Sequence, residues 1–170
     1  MLKDDKDRKL FFEKMVSEHS SKLYAHIRTI VLDHDDADDV LQETLIKAWK
    51  SLDSFRGDAA MGTWLYRIAT NEALQQLRRE RWKRLFRRGR VDESEAPKDM
   101  LNNSLQAGLV LDEALKLLSL QQRKVFGMRY FNEATYAEIA LVLEIAEGTV
   151  KATYHQSMKK IEVYLKNHSY

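Results

Sequence analysis

The chain has 170 residues, 28 of them basic and 26 acidic, with no cysteine and a single proline. The absence of cysteine excludes a disulfide framework and any cysteine-ligated zinc or iron–sulfur site. Six glycines and one proline are well below average usage, which predicts long helices with few sharp turns and disfavours a β-sandwich or a phosphate-cradling α/β fold.

No stretch of the sequence has the pattern of a targeting or membrane segment. Residues 1–8 are almost wholly charged, unlike the basic start and apolar core of a signal peptide. No apolar run approaches the ~20 residues that span a bilayer. We therefore expect a soluble, cytoplasmic protein without a membrane span.

The first half of the chain has apolar residues at helical spacing. Leu23, Ile27 and Ile30 form one such set, and similar sets follow within 41–52 and 61–69. This periodicity is that of amphipathic helices, which bury one stripe of side chains. It predicts a first helical unit.

A basic run from Arg78 to Arg90 closes this unit, with eight basic residues and one acid. Trp82, Leu85 and Phe86 are interleaved in the run. Basic side chains follow a phosphate backbone, and aromatic rings offer stacking faces to unpaired bases, so the run is a candidate nucleic-acid contact. The alternative is a solvated helix end whose cations complement the helix dipole.

A change in composition then separates the two halves of the chain. Over residues 91–107 the apolar period fails, and acids, Pro97 and turn-forming residues appear. We predict a flexible linker here and place the domain boundaries at 8–86, 87–107 and 108–168. The predicted fold class is all-α, with two small helical domains joined by the linker.

The second half carries two helix-start signals. Ser119 with Gln122 and Thr135 with Glu138 each fit the capping box, in which the two side chains satisfy free amide groups at the start of a helix. Helices are therefore predicted to begin just after Ser119 and Thr135.

Residues 135–160 have the layout of a helix-turn-helix. A short helix is followed by a turn at 144–146 and by an amphipathic helix whose exposed face is basic and rich in amide groups. In this motif the second helix lies in the major groove, where its first turns reach base edges while lysines neutralise phosphates. A short helical hairpin without DNA-binding function is the alternative.

An acidic cluster lies at 33–43. Its spacing does not fit a calcium loop, because Asp38 falls where glycine is required and Thr44 where a bidentate glutamate is required. Two interpretations remain, and both can hold. The charge favours the start of a helix from about Asp36 to Leu52, and it forms a docking face for a basic partner.

Catalytic motifs are missing from the sequence. It has no Walker-type lysine loop, no HExxH and no G-x-S-x-G. The pair His34–Asp35 could belong to a metal phosphohydrolase, but the other histidines supply no second motif. We therefore predict no enzymatic activity, no metal site and no cofactor, and keep the metal phosphohydrolase as an alternative from the enzyme class.

Four motifs, taken in order, resemble the extracytoplasmic-function group of bacterial sigma factors, the compact members of the sigma-70 family. The resemblance covers roughly residues 8–84 and 109–166. Its specificity comes from the order and separation of the motifs rather than from any one of them. The motifs are DDADDVLQETLIKAWKSLDSF at 35–55, GTWLYRIATNEALQQLRRER at 62–81, LSLQQRKVFGMRYF at 118–131 and TYAEIALVLEIAEGTVKATYHQ at 135–156.

The resemblance implies a protein that binds core RNA polymerase and directs promoter-specific transcription initiation. Such a protein reads a double-stranded −35 element and a melted −10 element of promoter DNA. Many relatives are held inactive by an anti-sigma factor, which is therefore a candidate partner. The resemblance also implies that the linker 87–107 threads toward the RNA exit path of the polymerase.

Site residues follow from the resemblance by position. Residues 35–55 are similar to the segment that docks on the clamp helices of the largest polymerase subunit. Residues 56–62 and the helix after them are similar to the part that opens the −10 element and holds a flipped base. The implied polymerase contacts are Asp36, Asp38, Asp39, Gln42 and Glu43; the −10 contacts are Arg56, Met61, Thr63, Trp64, Arg67, Asn71 and Arg78; the −35 contacts are Thr149, Lys151, Thr153, Gln156 and Lys159.

Departures from the family pattern lie in the helix-turn-helix. Glu144 stands where the family often has a glycine, at a cost of ~1 kcal/mol if the left-handed geometry is kept. Ala146 replaces a serine cap. Thr153, Gln156 and Met158 stand where arginines are usual. Because glutamine pairs with adenine and arginine with guanine, we hypothesise a −35 preference that leans toward adenine.

Two further alternatives remain at this point. A stand-alone helix-turn-helix regulator would bind a palindromic site tightly without polymerase, but would leave the acidic docking helix unexplained. A family member that has lost promoter activity would serve only as a protein-binding module, as the altered recognition helix allows.

Overall fold

The computed structural model describes residues 5–55, 57, 60–86 and 103–168, with side chains from residue 110 onward in the last range. These residues form seven α-helices and a short 3₁₀ turn, with no strand among them, so the predicted all-α fold is confirmed. The helices are α1 Asp5–Val31, α2 His34–Ser51, α3 Met61–Phe86, α4 Asn103–Lys116, α5 Leu120–Tyr130, α6 Tyr136–Leu143 and α7 Glu147–His168; the 3₁₀ turn is Leu52–Ser54.

The predicted linker lies mostly outside the described residues. Helix α4 begins at Asn103, so the last five residues of the range 87–107 are helical. The domain boundaries stay predictions. Below, the first unit is α1–α3 and the second unit is α4–α7.

Local chemistry explains where the helices begin. The Asp33 side chain accepts a hydrogen bond from the Asp36 amide over 2.9 Å and caps α2, which starts at His34, two residues before the predicted Asp36. Both predicted capping boxes are present, at the starts of α5 and α6. Side-chain oxygens thus satisfy amide groups that have no partner within the helix.

The first unit is a three-helix arrangement with a continuous core. Helix α1 buries Leu23, Ile27 and Ile30, and α2 and α3 bury small and branched side chains against it. The small residues let the helix axes approach closely. The buried set from α2 and α3 includes Ala37, Val40, Ala48, Leu65, Ala69 and Ala73.

The core of the first unit continues into the second. Val125 and Met128 of α5, Ile139 of α6 and Val150 of α7 belong to the same cluster of buried residues. A second cluster around Phe126 joins α4, α5 and α7. The two units therefore pack against each other in this structure, an arrangement that the sequence does not predict.

Polar contacts also join the two units. Arg28 of α1 forms an ion pair with Asp112 of α4, with 2.7 Å between Nη2 and Oδ2, and the Arg28 side chain is only 12% exposed. Arg67 of α3 donates a hydrogen bond to the main-chain carbonyl of Leu141 in α6. These contacts hold α4 against α1 and α6 against α3.

Candidate nucleic-acid interface

The predicted polymerase contacts lie along α2 and are mostly exposed. The exception is Asp36, which is half-buried and accepts a hydrogen bond from Gln76 Nε2 of α3 over 2.6 Å. Ile46 is 46% exposed and lies one turn beyond the acids, so this face combines negative charge with one apolar side chain. The exposed predicted contacts are Asp38, Asp39, Gln42 and Glu43.

The predicted −10 contacts on α3 differ in their surroundings. Thr63 is buried, and Arg67 Nη2 lies 2.8 Å from the Leu141 carbonyl oxygen, so both face the second unit. Asn71 and Arg78 are exposed and line a groove between α2 and α3. Part of the implied −10 set thus contacts the second unit, and the rest lies along the following turns of α3.

Three further −10 candidates lie near the start of α3. Met61 and Trp64 are half-buried, and the Trp64 ring packs on Phe55 with 5.2 Å between ring centroids. This contact fixes the indole at the edge of the first unit. Arg56 lies outside the described residues.

A cavity lies between the two units, and α3 forms one of its walls. Thr63 and Tyr66 line it from α3, and Met128 and Glu138 line it from the second unit. Burial, and then the nearby Glu138 carboxylate, raise the pKa of Tyr66 to about 12. The phenol is therefore neutral and protonated at physiological pH.

Glu138 is held in place by its capping box. The Thr135 amide donates to Glu138 Oε2 over 2.7 Å and the Thr135 hydroxyl over 2.8 Å. These hydrogen bonds, that of the backbone first, hold the pKa of the Glu138 carboxyl below its usual value. Glu138 thus stays charged beside the predicted −10 residues.

The predicted −35 contacts lie along α7 in a helix-turn-helix formed by α6 and α7. The buried stripe includes Val150 and Ile161, which sets the orientation of the opposite face. Thr153 is half-buried, and its main-chain carbonyl accepts a hydrogen bond from Ser157 Oγ. The other predicted contacts are exposed: Thr149, Lys151, Gln156 and Lys159.

The turn of the motif has the expected geometry. Glu144 has φ 55° and ψ 44°, in the left-handed region, and its amide donates to the Ala140 carbonyl. Helix α7 then begins at Glu147, whose carboxylate lies in the first turn. The turn keeps the family geometry without the family's glycine.

Two contacts beside the candidate surfaces have no signal in the sequence. Gln76 and Asp36 are 40 residues apart, and Arg67 and Leu141 are 74 apart. Neither pair belongs to a motif, and one partner of the second pair is a main-chain carbonyl. Helical periodicity indicates which residues share a face, but it does not indicate which other helix that face meets.

The metal hypothesis depends on His34, whose ring lies beside Tyr24. His34 Nδ1 lies 2.8 Å from the Tyr24 hydroxyl, and no group of three or more potential ligands that could hold a metal ion occurs in the part of the chain described. Among the same residues, no helix is long and apolar enough to cross a membrane.

Two family models match the chain, one for each unit. The model described as Sigma-70 region 2 matches residues 15–83, and the model described as Sigma-70, region 4 matches residues 109–161. The first match covers most of α1–α3, and the second covers the helix-turn-helix.

Individual relatives extend the similarity over most of the chain. The chain is 31% identical over 156 residues to the ECF RNA polymerase sigma factor SigL of Mycobacterium tuberculosis, covering 89% of this chain and 86% of that protein. Its fold is similar to that of the sigma factor RpoE of Bartonella quintana in complex with the anti-sigma factor NepR, with a TM-score of 0.78, 28% identity and coverage of 91% and 96%. CnrH in complex with the cytosolic domain of CnrY has a similar fold, with a TM-score of 0.72, 21% identity and coverage of 98% and 92%.

Proposed function

The chain belongs to the extracytoplasmic-function group of bacterial sigma-70 factors, and from that premise we propose how its residues direct RNA polymerase to promoters. As a sigma factor it directs promoter-specific transcription initiation. The observation that carries this function is the match of two sigma models, in family order, to the two helical units. The roles of individual residues below are proposals.

The acidic face of α2 docks on core polymerase. Asp39 and Glu43 are exposed one turn apart and lie beside Ile46. Such a face suits a basic partner surface with an apolar contact beside it, because charge steers the encounter while apolar burial contributes affinity. Asp38 and Gln42 extend the same contact. Asp36 contributes by holding α3 through Gln76.

Helix α7 reads the −35 element. Gln156 and Thr149 offer hydrogen-bonding groups to base edges, while Lys151 and Lys159 neutralise phosphates. All four side chains are exposed. The Thr153 side chain is half-buried, so it contacts DNA only at its outer edge.

Recognition of the −10 element requires a change in the arrangement of the units. Thr63 and Arg67 are proposed to contact the melted strand, yet both face the second unit in this structure. Separate contacts with two promoter elements also need the units to be held apart on the polymerase, where their weak affinities combine. Polymerase binding is therefore proposed to separate α6 from α3.

Regulation by an anti-sigma factor is part of the proposal. The similar structure of Bartonella quintana RpoE contains the anti-sigma factor NepR. By that similarity we assign the present chain a protein antagonist of the same class. We also propose that the chain acts by binding rather than by catalysis, in the cytoplasm, where promoter DNA and polymerase are found.

In vitro transcription tests the function directly. Purified bacterial core polymerase is supplied with a library of promoter-like fragments, with and without the chain, and the 5′ ends of the transcripts are sequenced. New starts downstream of one common pair of elements are expected. Tight binding of the free chain to a palindromic site, without new starts, would favour a stand-alone regulator instead.

A charge reversal tests the docking face. The double variant Asp39→Arg/Glu43→Arg should lose co-elution with core polymerase, because two attractive contacts become repulsive. The matched control is Glu13→Arg/Glu18→Arg, which reverses two exposed acids on α1, each in an i,i+4 pair with a lysine. Equal co-elution of both variants would refute the assignment of α2.

A further inference from the structure

The last turns of α3 carry three exposed apolar side chains. Trp82 is 61% exposed, Leu85 51% and Phe86 81%. Because the second and third follow the first at spacings of three and four, all three lie within an arc of about 100° on one face of the helix. The rings of Trp82 and Phe86 stack on each other, with 5.8 Å between centroids. This end of α3 therefore presents one apolar face.

The final turns of α3 extend beyond the core of the first unit. Gln76 is the last buried residue of the helix, and residues 81–86 are all exposed. The apolar face is therefore open to solvent within the described structure, and reaching it requires no change in the packing of the two units. Adjoining exposed apolar side chains of this size mark sites of contact with a protein or a membrane.

Cations surround the apolar face. Arg81 and Lys83 lie about 100° to either side of Trp82 around the helix axis, and arginines at 78–79 occupy the turn before it. Glu80 is the one acid of the basic run, and it forms an ion pair with Lys83 over 2.7 Å. The three arginines have no ion pair among the described residues. Their positive charge is therefore available to an anionic partner.

This combination favours a lipid surface over a nucleic acid. A helix with Trp, Leu and Phe on one face and cations beside it is typical of segments that lie in the interface of a membrane with anionic lipids. Nucleic-acid binding would use the cations and would require aromatic faces on which bases stack. Trp82 and Phe86 cover each other's inner faces, and Leu85 has no ring.

We propose that the end of α3 binds the surface of a bilayer that contains anionic lipids. Trp82, Leu85 and Phe86 enter the boundary between headgroups and acyl chains, and the neighbouring arginines bind lipid phosphates. The proposal goes beyond the proposed function and does not rest on it, because none of the three apolar residues is an implied polymerase or promoter contact. Arg78 belongs to both surfaces, so lipid and promoter DNA compete for this end of α3.

Vesicle binding tests the proposal with the full-length free chain. Sedimentation is measured with vesicles of mixed phosphatidylcholine and phosphatidylglycerol, and in parallel with vesicles of phosphatidylcholine alone. The chain should bind the anionic vesicles, less strongly as salt rises, and should not bind the neutral ones. Lipids with brominated acyl chains should quench the tryptophan emission. Trp82→Phe should still bind but lose most of this quenching, because Trp49 and Trp64 are half-buried in the first unit.

A pair of serine substitutions tests the apolar face. Leu85→Ser/Phe86→Ser should lower the affinity for anionic vesicles by more than about tenfold, because two apolar side chains no longer leave water. The matched control is Leu10→Ser/Phe11→Ser on α1, where the removed side chains are 55% and 39% exposed and the neighbouring charges are of both signs. The control should bind as the wild type does. All four side chains are exposed, so both variants are expected to fold.

Two results would overturn the proposal. Equal vesicle binding by the two double variants would show that charge alone adsorbs the chain and that the apolar face does not enter the lipid. Absence of vesicle binding, together with binding to single-stranded DNA that Leu85→Ser/Phe86→Ser weakens, would identify a nucleic acid as the partner. Failure of the wild-type chain to produce new transcription starts would reject the sigma function and leave the vesicle result unaffected.

Discussion

The main chain of Gly127 in α5 packs directly against the side chain of Thr29 in α1, where a Cβ atom at position 127 would stand 2.2 Å from Thr29 Oγ1. The hydroxyl has little freedom to move away, because Thr29 is buried and donates to the His26 carbonyl over 2.7 Å. Only glycine fits this position while the two units are packed as observed.

Gly127→Ala is therefore expected to loosen the packing of α5 on α1. Overpacking of a tight contact typically costs about 1–3 kcal/mol, so the free energy of unfolding in urea should fall by that order. Thr29→Ala removes Oγ1 and Cγ2 and should restore part of the loss in the double variant, as contacting residues are coupled.

Gly148→Ala is the matched control for this prediction. Gly148 is in the first turns of α7, and a Cβ there would have no atom within 4 Å among the described residues. The substitution should leave stability unchanged or raise it slightly, since alanine has the higher helix propensity. If Gly127→Ala behaved like Gly148→Ala, the close approach of α1 and α5 would be refuted.

His26 predicts a pH dependence of stability. The imidazole is fully buried, with Nε2 at 2.8 Å from Thr70 Oγ1, and burial followed by the charge of Lys124 lowers its pKa to about 3. Unfolding returns the pKa to its ordinary value near 6.5, so the unfolded chain binds the proton more tightly. The contribution of the neutral His26 to the free energy of unfolding is therefore fully present above about pH 6.5. It is lost as the pH falls toward 3, by up to ~1.4 kcal/mol per pH unit.

Urea unfolding between pH 7 and pH 5 measures this effect, because few carboxyl groups titrate there. His26→Gln should be less stable at pH 7, having lost the packing of the ring against Tyr66, but should show a shallower decline toward pH 5. His155→Gln, which changes an exposed histidine, should decline as the wild type does. Parallel profiles for all three proteins would contradict a neutral buried His26.

Local signals in the sequence predict much of this fold. The capping boxes at Ser119 and Thr135 depend on residues three positions apart, so they are visible without the tertiary structure. The stripe of α7 that contains Val150 and Ile161 is predicted for the same reason and is buried. The left-handed turn at Glu144 follows from the family pattern rather than from the residue itself.

Contacts between distant segments are not predictable in this way. The packing of α5 on α1 depends on Gly127, and a glycine inside a helical pattern indicates only that some close approach exists. Lys50 of α2 and Arg78 of α3 line one groove, and because they come from different helices no local spacing relates them.

Gln156 predicts the base preference of the −35 element. The side chain is exposed on α7, and glutamine pairs with adenine through two hydrogen bonds, while arginine pairs with guanine. Gln156→Arg should change the preferred base at one −35 position from adenine to guanine, with a discrimination of about 1–3 kcal/mol. Selection of binding sites with wild-type and variant holoenzyme measures the change.

Asn167→Arg is the control for Gln156→Arg and distinguishes base recognition from the effect of added charge. The substitution places an arginine at an exposed position near the end of α7, so it should raise the affinity for DNA of any sequence without altering the preferred base. A guanine-rich −35 element selected by the wild type through Gln156 would count against the prediction.

Glu144→Gly is expected to stabilise the helix-turn-helix. Glu144 holds φ 55° and ψ 44°, a conformation that costs an ordinary residue about 1 kcal/mol and costs glycine almost nothing. The larger entropy of glycine in the unfolded chain offsets part of this gain, so the free energy of unfolding should rise by about 0.5–1 kcal/mol.

The same substitution at Glu147, three residues later in the first turn of α7, should instead lower stability by about 0.5–1 kcal/mol, because glycine is a poor helix former. Opposite signs at the two positions identify backbone conformation as the cause, and a loss of stability at both would show that the Glu144 side chain contributes more than its strained backbone costs.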